Sequence, residues 1–375
     1  MSDTYRRYRA IKQAIMQFYQ PRPQGHREKH LNTLVALICG LVGGKHAHLP
    51  TIADHAPSNG ATQESLIKRF TRWVKHDRHT IDGWFLPLAQ ELLKRLATQP
   101  IQLVMDGSVA GRGCLALMLS VIYQGRALPL CWVVVAAPKG HFPEETHRAL
   151  LAQVEAIMPK EATVIFLGDG EFDGVDLQAD LRRTNWQYVC RTASNILVTA
   201  CGVQFHVADV GPERGELLAV SPAWMTAERY GPISILAIWE QQFKEPIYLV
   251  TNMSDLDAAV QQYKKRPHIE TFFSDQKSRG FNIHKSHLSD PTRLCRLLIA
   301  SCLAYLWIVY LGVCAVHPDW MKQLHRQDRC DLSLFRLGLR LLARCLKDHL
   351  PIPDGFLVPL ALPVPLIRTL QKQTA

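Results

Sequence analysis

The sequence predicts an α/β protein, with a mixed sheet preceded by an all-α region and followed by further helices. Three observations carry that prediction. The apolar period is helical through the first hundred residues and turns strand-like near residue 100. From there the elements run three strands, helix, strand, helix, strand. Two of those strands end in aspartates, Asp106 and Asp169, and a third acid, Glu270, lies in a later helical stretch among cations.

Residues 4–19 read as an amphipathic helix. Ile11, Ile15 and Phe18 form a stripe at i, i+4, i+7, and Pro21 and Pro23 end it. Residues 28–43 form a more apolar helix, closed by Gly43 and Gly44. Residues 51–76 read as helix, turn, helix, with Pro57-Ser58-Asn59-Gly60 as the turn. The second of these helices sets Lys68, Arg72 and Lys75 at i, i+4, i+7 beside Arg69, and turns Leu66, Phe70, Trp73 and Val74 inward. Such a face suits docking on duplex DNA, where cations meet phosphates; a merely solvated basic face is the alternative. A third helix is predicted over 82–97.

Ile101–Ser108, with Asp106 near its end, is the first strand. Leu115–Tyr123 and Ala127–Ala136 follow as antiparallel neighbours, with Gly125 in the turn. A helix at 144–158, a strand from Ala162 ending at Asp169, a helix at 173–184 and a strand at 186–191 complete this part. The order is that of a ribonuclease-H-like domain, in which the first and fourth strands are neighbours. Residues 195–245 do not alternate strand with helix; they read as short strands, a β-rich insertion. A strand at 247–252 and a helix at 255–264 lead into the stretch that bears Glu270. An apolar helix at 293–316 and a cationic helix at 331–348 with Arg336, Arg340, Arg344 and Lys347 follow. A proline-broken tail closes the chain.

Composition narrows the function. At 375 residues with 47% hydrophobic content and a mean hydropathy of −0.04, the chain is globular. Its net charge is +10 and its pI about 9.1. Residues 1–99 carry 15 Lys and Arg against 7 Asp and Glu, or +8 of that +10. A basic first third beside a near-neutral remainder fits a polyanion-binding module. Ten cysteines stand singly without Cys-x-x-Cys or Cys/His metal spacing, so no zinc site is expected, and a reducing cytoplasm is. Leu297–Val316 is uncharged and long enough to span a bilayer, but a buried helix behind the Glu270 helix explains it equally, and that is the expectation here.

The stretch from Tyr263 to Lys277 holds Tyr263, Arg266, Glu270 and Lys277 at offsets 0, 3, 7 and 14. A straight helix would return these to one face. Pro267 restricts the residue before it and favours a first helical position, so the Glu270 helix is expected to start there, with Tyr263 and Arg266 on the preceding turn. Ile269 and Phe272 face a core. This Tyr-x2-Arg-x3-Glu-x6-Lys pattern, with Ile-Tyr-Leu-Val-Thr-Asn before it and Ser-Arg-Gly-Phe after it, resembles the signature of the insertion-sequence-4 family of bacterial DDE transposases. The resemblance covers roughly residues 100–315.

That resemblance implies a cut-and-paste transposase with the acids Asp106, Asp169 and Glu270 as catalytic metal ligands. With the change of period at residue 100 and the basic first third, the chain is expected to divide into a DNA-end-binding domain (1–99), a catalytic core in two parts (100–194 and 246–316) around the insertion (195–245), and a C-terminal region (317–375). Phosphodiester cleavage and strand transfer by two divalent ions need convergent hard oxygen donors, which suits Mg²⁺ or Mn²⁺, two per site. By the resemblance, Tyr263, Arg266 and Lys277 grip phosphates at the cleaved end, and two protomers pair two ends of double-stranded DNA. The family stacks a flipped base on an aromatic residue before the leucine-valine-threonine strand. Here Ile247 holds that place, and either Trp239 or Tyr248 is the candidate substitute. A nuclease without strand transfer and a DNA-binding protein that has lost activity are the alternatives. A membrane protein is not expected.

Overall fold

A computed structural model describes residues 1–137, 140–326 and 330–362, so the expected C-terminal region lies outside the described residues from 363 onward. The first hundred residues are helical: α1 (Asp3–Met16), α2 (Gly25–Gly44), α3 (Leu49–Asp54), α4 (Gln63–Lys75), α5 (Ile81–Trp84) and α6 (Leu86–Leu96). Side-chain caps start several of them. Ser2, Thr62 and Thr80 each accept from a backbone N–H of the first turn. The expected helix over 82–97 is broken in two at Phe85, because Pro87 has no N–H to bond the carbonyl four residues back and instead suits the first turn of a new helix. Leu66, Phe70, Trp73 and Val74 of α4 are buried, as the pattern requires.

The strands are β1 (Ile101–Gly111), β2 (Cys114–Tyr123) and β3 (Arg126–Ala136), then β4 (Val164–Gly168) and β5 (Gln187–Thr192), with α7 (Glu144–Glu155) and α8 (Val175–Arg183) between them. Their spatial order is β3-β2-β1-β4-β5. The first three pair antiparallel, and β1, β4 and β5 pair parallel. That order and those directions are the ribonuclease-H-like arrangement, read here from strand pairing alone. Parallel neighbours need crossovers, which α7 and α8 supply.

The insertion strands are β6 (Leu197–Ala200), β7 (Val203–His206), β8 (Leu217–Met225) and β9 (Tyr230–Ile238), followed by β10 (Ile247–Thr251). They do not form a separate body. β10 pairs antiparallel with β5 on one side and β9 on the other, so one ten-stranded sheet runs β3-β2-β1-β4-β5-β10-β9-β8-β6-β7. Beyond β10 lie α9 (Leu256–Tyr263), α10 (His268–Gln276), α11 (Pro291–Ala315), α12 (Pro318–Leu324) and α13 (Leu334–Lys347).

Alternation along the strands places helices on both faces. Ile165 and Leu167 of β4 pack with Val189, Leu249 and the α9 residues Ala259 and Val260; Phe166 belongs instead to the main core with Leu177 and Leu181 of α8. Helix α11 is long and apolar enough to cross a membrane, but nearly all of it is buried inside the protein, where it touches α2, α4, α10, α13 and β3. The buried-helix expectation therefore holds. On α11, Arg296 donates to the Val74 carbonyl at 3.1 Å and to Asp77 Oδ1 at 3.0 Å, tying the end of α4 to the core.

Candidate active site

The two aspartates meet because their strands are parallel neighbours in register. Val104 stands opposite Leu167, so two residues further on Asp106 and Asp169 leave the same end of the sheet side by side. Asp106 Oδ1 accepts from the Gly107 N–H at 2.7 Å, and Asp169 Oδ1 from the Glu171 N–H at 3.0 Å, which fixes both carboxylates at the strand ends.

Glu270 arrives from the facing helix. Pro267 is the N-cap of α10, so the helix begins at His268, one position after the expected start, and Glu270 sits in the first turn. Ile269 and Phe272 on the opposite side are buried, and the Phe272 ring meets Tyr305 of α11 edge-on at 5.0 Å. A buried ion pair sets the far end of the helix. Asp275 accepts from Arg126 of β3, whose Nε also donates to the Tyr305 hydroxyl at 3.2 Å.

The three acids are gathered by one guanidinium. Arg266 Nη2 lies 2.9 Å from Asp106 Oδ2 and 2.5 Å from Asp169 Oδ2, and Nη1 lies 3.6 Å from Glu270 Oε1. Arg266 is on the turn between α9 and α10, as expected, but it points among the acids. Its exposure is 14%, against 18% for Asp106, 31% for Asp169 and 65% for Glu270. Burial pushes the Asp106 carboxyl up to about 6, Arg266 pulling against it and Asp169 adding to it.

Tyr263 ends α9. Burial raises its phenol to about 12, against the opposing pull of Arg266 and Arg191. Lys277 is the C-cap of α10 with non-helical backbone, so it lies just past the helix that carries Glu270. Its ammonium donates to Ser108 Oγ on β1 at 2.7 Å; burial lowers its pKa and Asp106 opposes that.

The neighbouring acids are otherwise engaged. Glu171 accepts from the Phe142 N–H at 2.7 Å and faces His141 and His147 at 3.1 and 3.4 Å. Asp176 pairs with Arg148. Asp173, which directly precedes the α8 N-cap, accepts from the Thr192 hydroxyl at 2.6 Å. The N-cap of α8 is Gly174, and Glu144 of α7 accepts the Leu177 N–H in its place.

A cavity of about 570 Å³ opens beside Asp169, lined among others by Tyr248, Arg191, His141 and Ser194. Tyr248 therefore opens onto the acids' surroundings. Trp239 does not line this cavity; its indole N–H donates to the Phe243 carbonyl and its ring lies under Arg214. Arg191 and Ser108 are polar neighbours of the site that the sequence reading missed. The alternation of β1 places Ser108 on the Asp106 face, and that signal was available. On α4, Lys68, Arg72 and Lys75 are exposed, with Lys68 paired to Glu64 at 2.7 Å; Arg69 is turned inward over Phe70 beside Tyr8.

Among the described residues, no group of three His, Cys, Asp or Glu side chains is already drawn together as a metal cage. The carboxylates are spread around the guanidinium instead. Their chemistry still fits divalent ions: hard oxygen donors, a surplus of negative charge, and a cation already standing at their centre.

The arrangement defines a class, a ribonuclease-H-like domain with two strand-end aspartates and a helix-borne glutamate at one point. A family model described as "Transposase DDE domain" matches residues 81–307, more than half of the chain. The chain belongs to that family. A search of curated protein sequences finds no match. Among solved structures, the chain is similar to the piggyBac transposase in a cryo-EM structure of its synaptic complex with hairpin DNA, at 10% identity and a TM-score of 0.45, covering 99% of this chain and 84% of that one.

Proposed function

We propose that this DDE-family protein is a cut-and-paste DNA transposase of the insertion-sequence-4 kind, which cleaves phosphodiesters at transposon ends and joins them to target DNA. The observation that carries the reading is the gathering of Asp106, Asp169 and Glu270 around one cation, from two strand ends and a facing helix. Asp106, Asp169 and Glu270 would hold two Mg²⁺ or Mn²⁺ ions. When bound, such ions activate the attacking water or 3′-hydroxyl and stabilise the leaving oxygen.

The chain's own residues orient the substrate. Lys277 and Arg266 present cations to the phosphates flanking the scissile bond, Arg in a bidentate fork and Lys as a point charge. Tyr263 lies beside them. Tyr248, at the cavity next to Asp169, is the better-placed of the two stacking candidates. The helices of residues 1–99 bind the terminal inverted repeats through Lys68, Arg72 and Lys75, with Arg69 in a supporting place. Two protomers pair the two ends of the element in the bacterial cytoplasm, an arrangement that rests on the family resemblance.

The test is incubation of the chain with duplex carrying the element's ends and Mn²⁺. Nicking that disappears in Asp106→Ala and in Glu270→Gln is the expected result. A loss on the order of 10³-fold or more corresponds to several kcal/mol of transition-state stabilisation. Specific binding of the ends with no nicking by the unaltered chain overturns the enzyme reading in favour of a DNA-binding protein. Nicking without joining leaves a nuclease.

A further inference from the structure

Arg266 occupies a position unlike that of a residue which only grips DNA. Its guanidinium touches all three acids, while its Nε is buried with no hydrogen-bond partner among the described residues. The carboxylates are the only partners its side chain has among the described contacts. Its backbone lies in the short turn Lys264–Pro267 between α9 and α10, where the N–H of Arg266 bonds back to the Tyr263 carbonyl.

Charge counting shows what that contact does. Three carboxylates within reach of one point repel one another strongly at low dielectric. One guanidinium offsets a third of the charge, and Lys277, bonded to Ser108, stands off to one side. Divalent cations between the same carboxylates would face the guanidinium at contact distance, so both cannot hold the same oxygens. A cation leaving this site needs another anion, and a phosphodiester is the best bidentate match for a guanidinium.

We propose that Arg266 is a resident counter-ion that divalent metal must displace, and that duplex DNA assists the exchange by giving the guanidinium a phosphate. The inference rests on the active-site reading above and adds its regulation. The free protein keeps its acids together but binds metal weakly, and the metal site becomes strong when DNA is present. Linkage makes the effect reciprocal: whatever factor DNA adds to metal affinity, metal adds to DNA affinity.

The experiment measures Mn²⁺ binding by the full chain through loss of the free-ion EPR signal, with and without a short duplex of mixed sequence. The chains compared are the unaltered protein, Arg266→Gln and Arg266→Lys, each with and without Asp106→Asn. Without DNA, Arg266→Gln is expected to bind Mn²⁺ about tenfold tighter than the unaltered chain, within the range of about 5- to 150-fold usual for coupled sites, and Arg266→Lys to fall between. Duplex should tighten Mn²⁺ binding by the unaltered chain and leave Arg266→Gln nearly unchanged. Asp106→Asn should remove the site from every chain.

Equal or weaker Mn²⁺ binding by Arg266→Gln, still dependent on Asp106, overturns the proposal and leaves Arg266 as a residue that merely organises the acids. Absence of any Asp106-dependent binding overturns the metal-site reading and this proposal with it. If Arg266→Gln does not fold, the unaltered chain decides. An Mn²⁺ affinity that duplex does not move is the overturning result.

Discussion

At the scale of single residues, the buried Arg126–Asp275 pair is the strongest lever on stability. Both side chains are almost fully enclosed, 8% and 5% exposed. Removing one partner of such a pair leaves the other charged and buried, which costs about 3–5 kcal/mol. Arg126→Met is therefore expected to lower the free energy of denaturant unfolding by that amount, whereas the exposed Lys68–Glu64 pair should cost under about 1 kcal/mol when broken. Equal small effects from both would show that the buried pair is not what anchors α10. This residue-level detail was only partly legible in the sequence. That Asp106 and Asp169 emerge side by side was legible from their strand ends, because strand direction and parallel register determine where a side chain emerges, whereas Glu270 was singled out with the help of the family resemblance. The direction of Arg266 was not legible, because spacing on a helix says nothing about a turn. Nor was the fate of Asp173, whose carboxylate had two acceptor roles open to it, a helix N–H or the Thr192 hydroxyl, and took the second.

At the scale of elements, α11 and α13 cross at two glycines. A Cβ on Gly338 would stand 1.9 Å from the Ile308 carbonyl, and one on Gly312 as close to that of Leu334. Backbone is in the way on both sides, so neither contact yields to a side-chain rotation. Gly338→Ala is expected to destabilise the chain by about 1–3 kcal/mol despite its better helix propensity, as seen in a lowered melting temperature. An exposed helix glycine would show the reverse sign.

The basic face of α4 makes a different prediction. Lys68→Glu, Arg72→Glu and Lys75→Glu together should leave folding nearly unchanged and weaken binding to element-end duplex. The slope of log affinity against log salt should fall by about 2 to 3, since each lost phosphate contact removes about 0.9. An unchanged salt slope would remove α4 from the interface. Elements of this kind were legible from period and caps. The bridging role of β10 was not, since Ile-Tyr-Leu-Val-Thr reads as a strand whichever two neighbours it takes.

At the scale of the whole molecule, the histidines set a pH dependence. His79 is buried against Trp73, stacked at 4.3 Å, and burial lowers its pKa to about 4, with His30, His76 and Arg296 adding to the shift. His30, His46, His48, His268 and His284 are lowered too, burial being the first cause for each. A folded value below the unfolded one means the unfolded chain binds more protons between them. Stability is therefore full above about pH 6.5 and is lost as pH falls toward 4. Asp106, raised to about 6, opposes this between the usual carboxylate range and pH 6, as a single group against several. The melting temperature is expected to fall steadily from pH 7 to pH 4.5, and His79→Gln to make that fall shallower. A profile that rises toward acid would contradict the assignment.

The continuity of the sheet through β10 limits how this chain can be shortened. Excising 195–245 as if it were a detachable module would strip β9 from β10 and leave Ile247–Thr251, an uncharged and β-prone strand, with a row of unanswered N–H and C=O groups facing water. Such a truncation invites self-association before its chemistry can be assayed, and the edge it exposes lies one strand from β5 and two from the strand that ends at Asp169. Any smaller working version must keep all ten strands and lose length elsewhere.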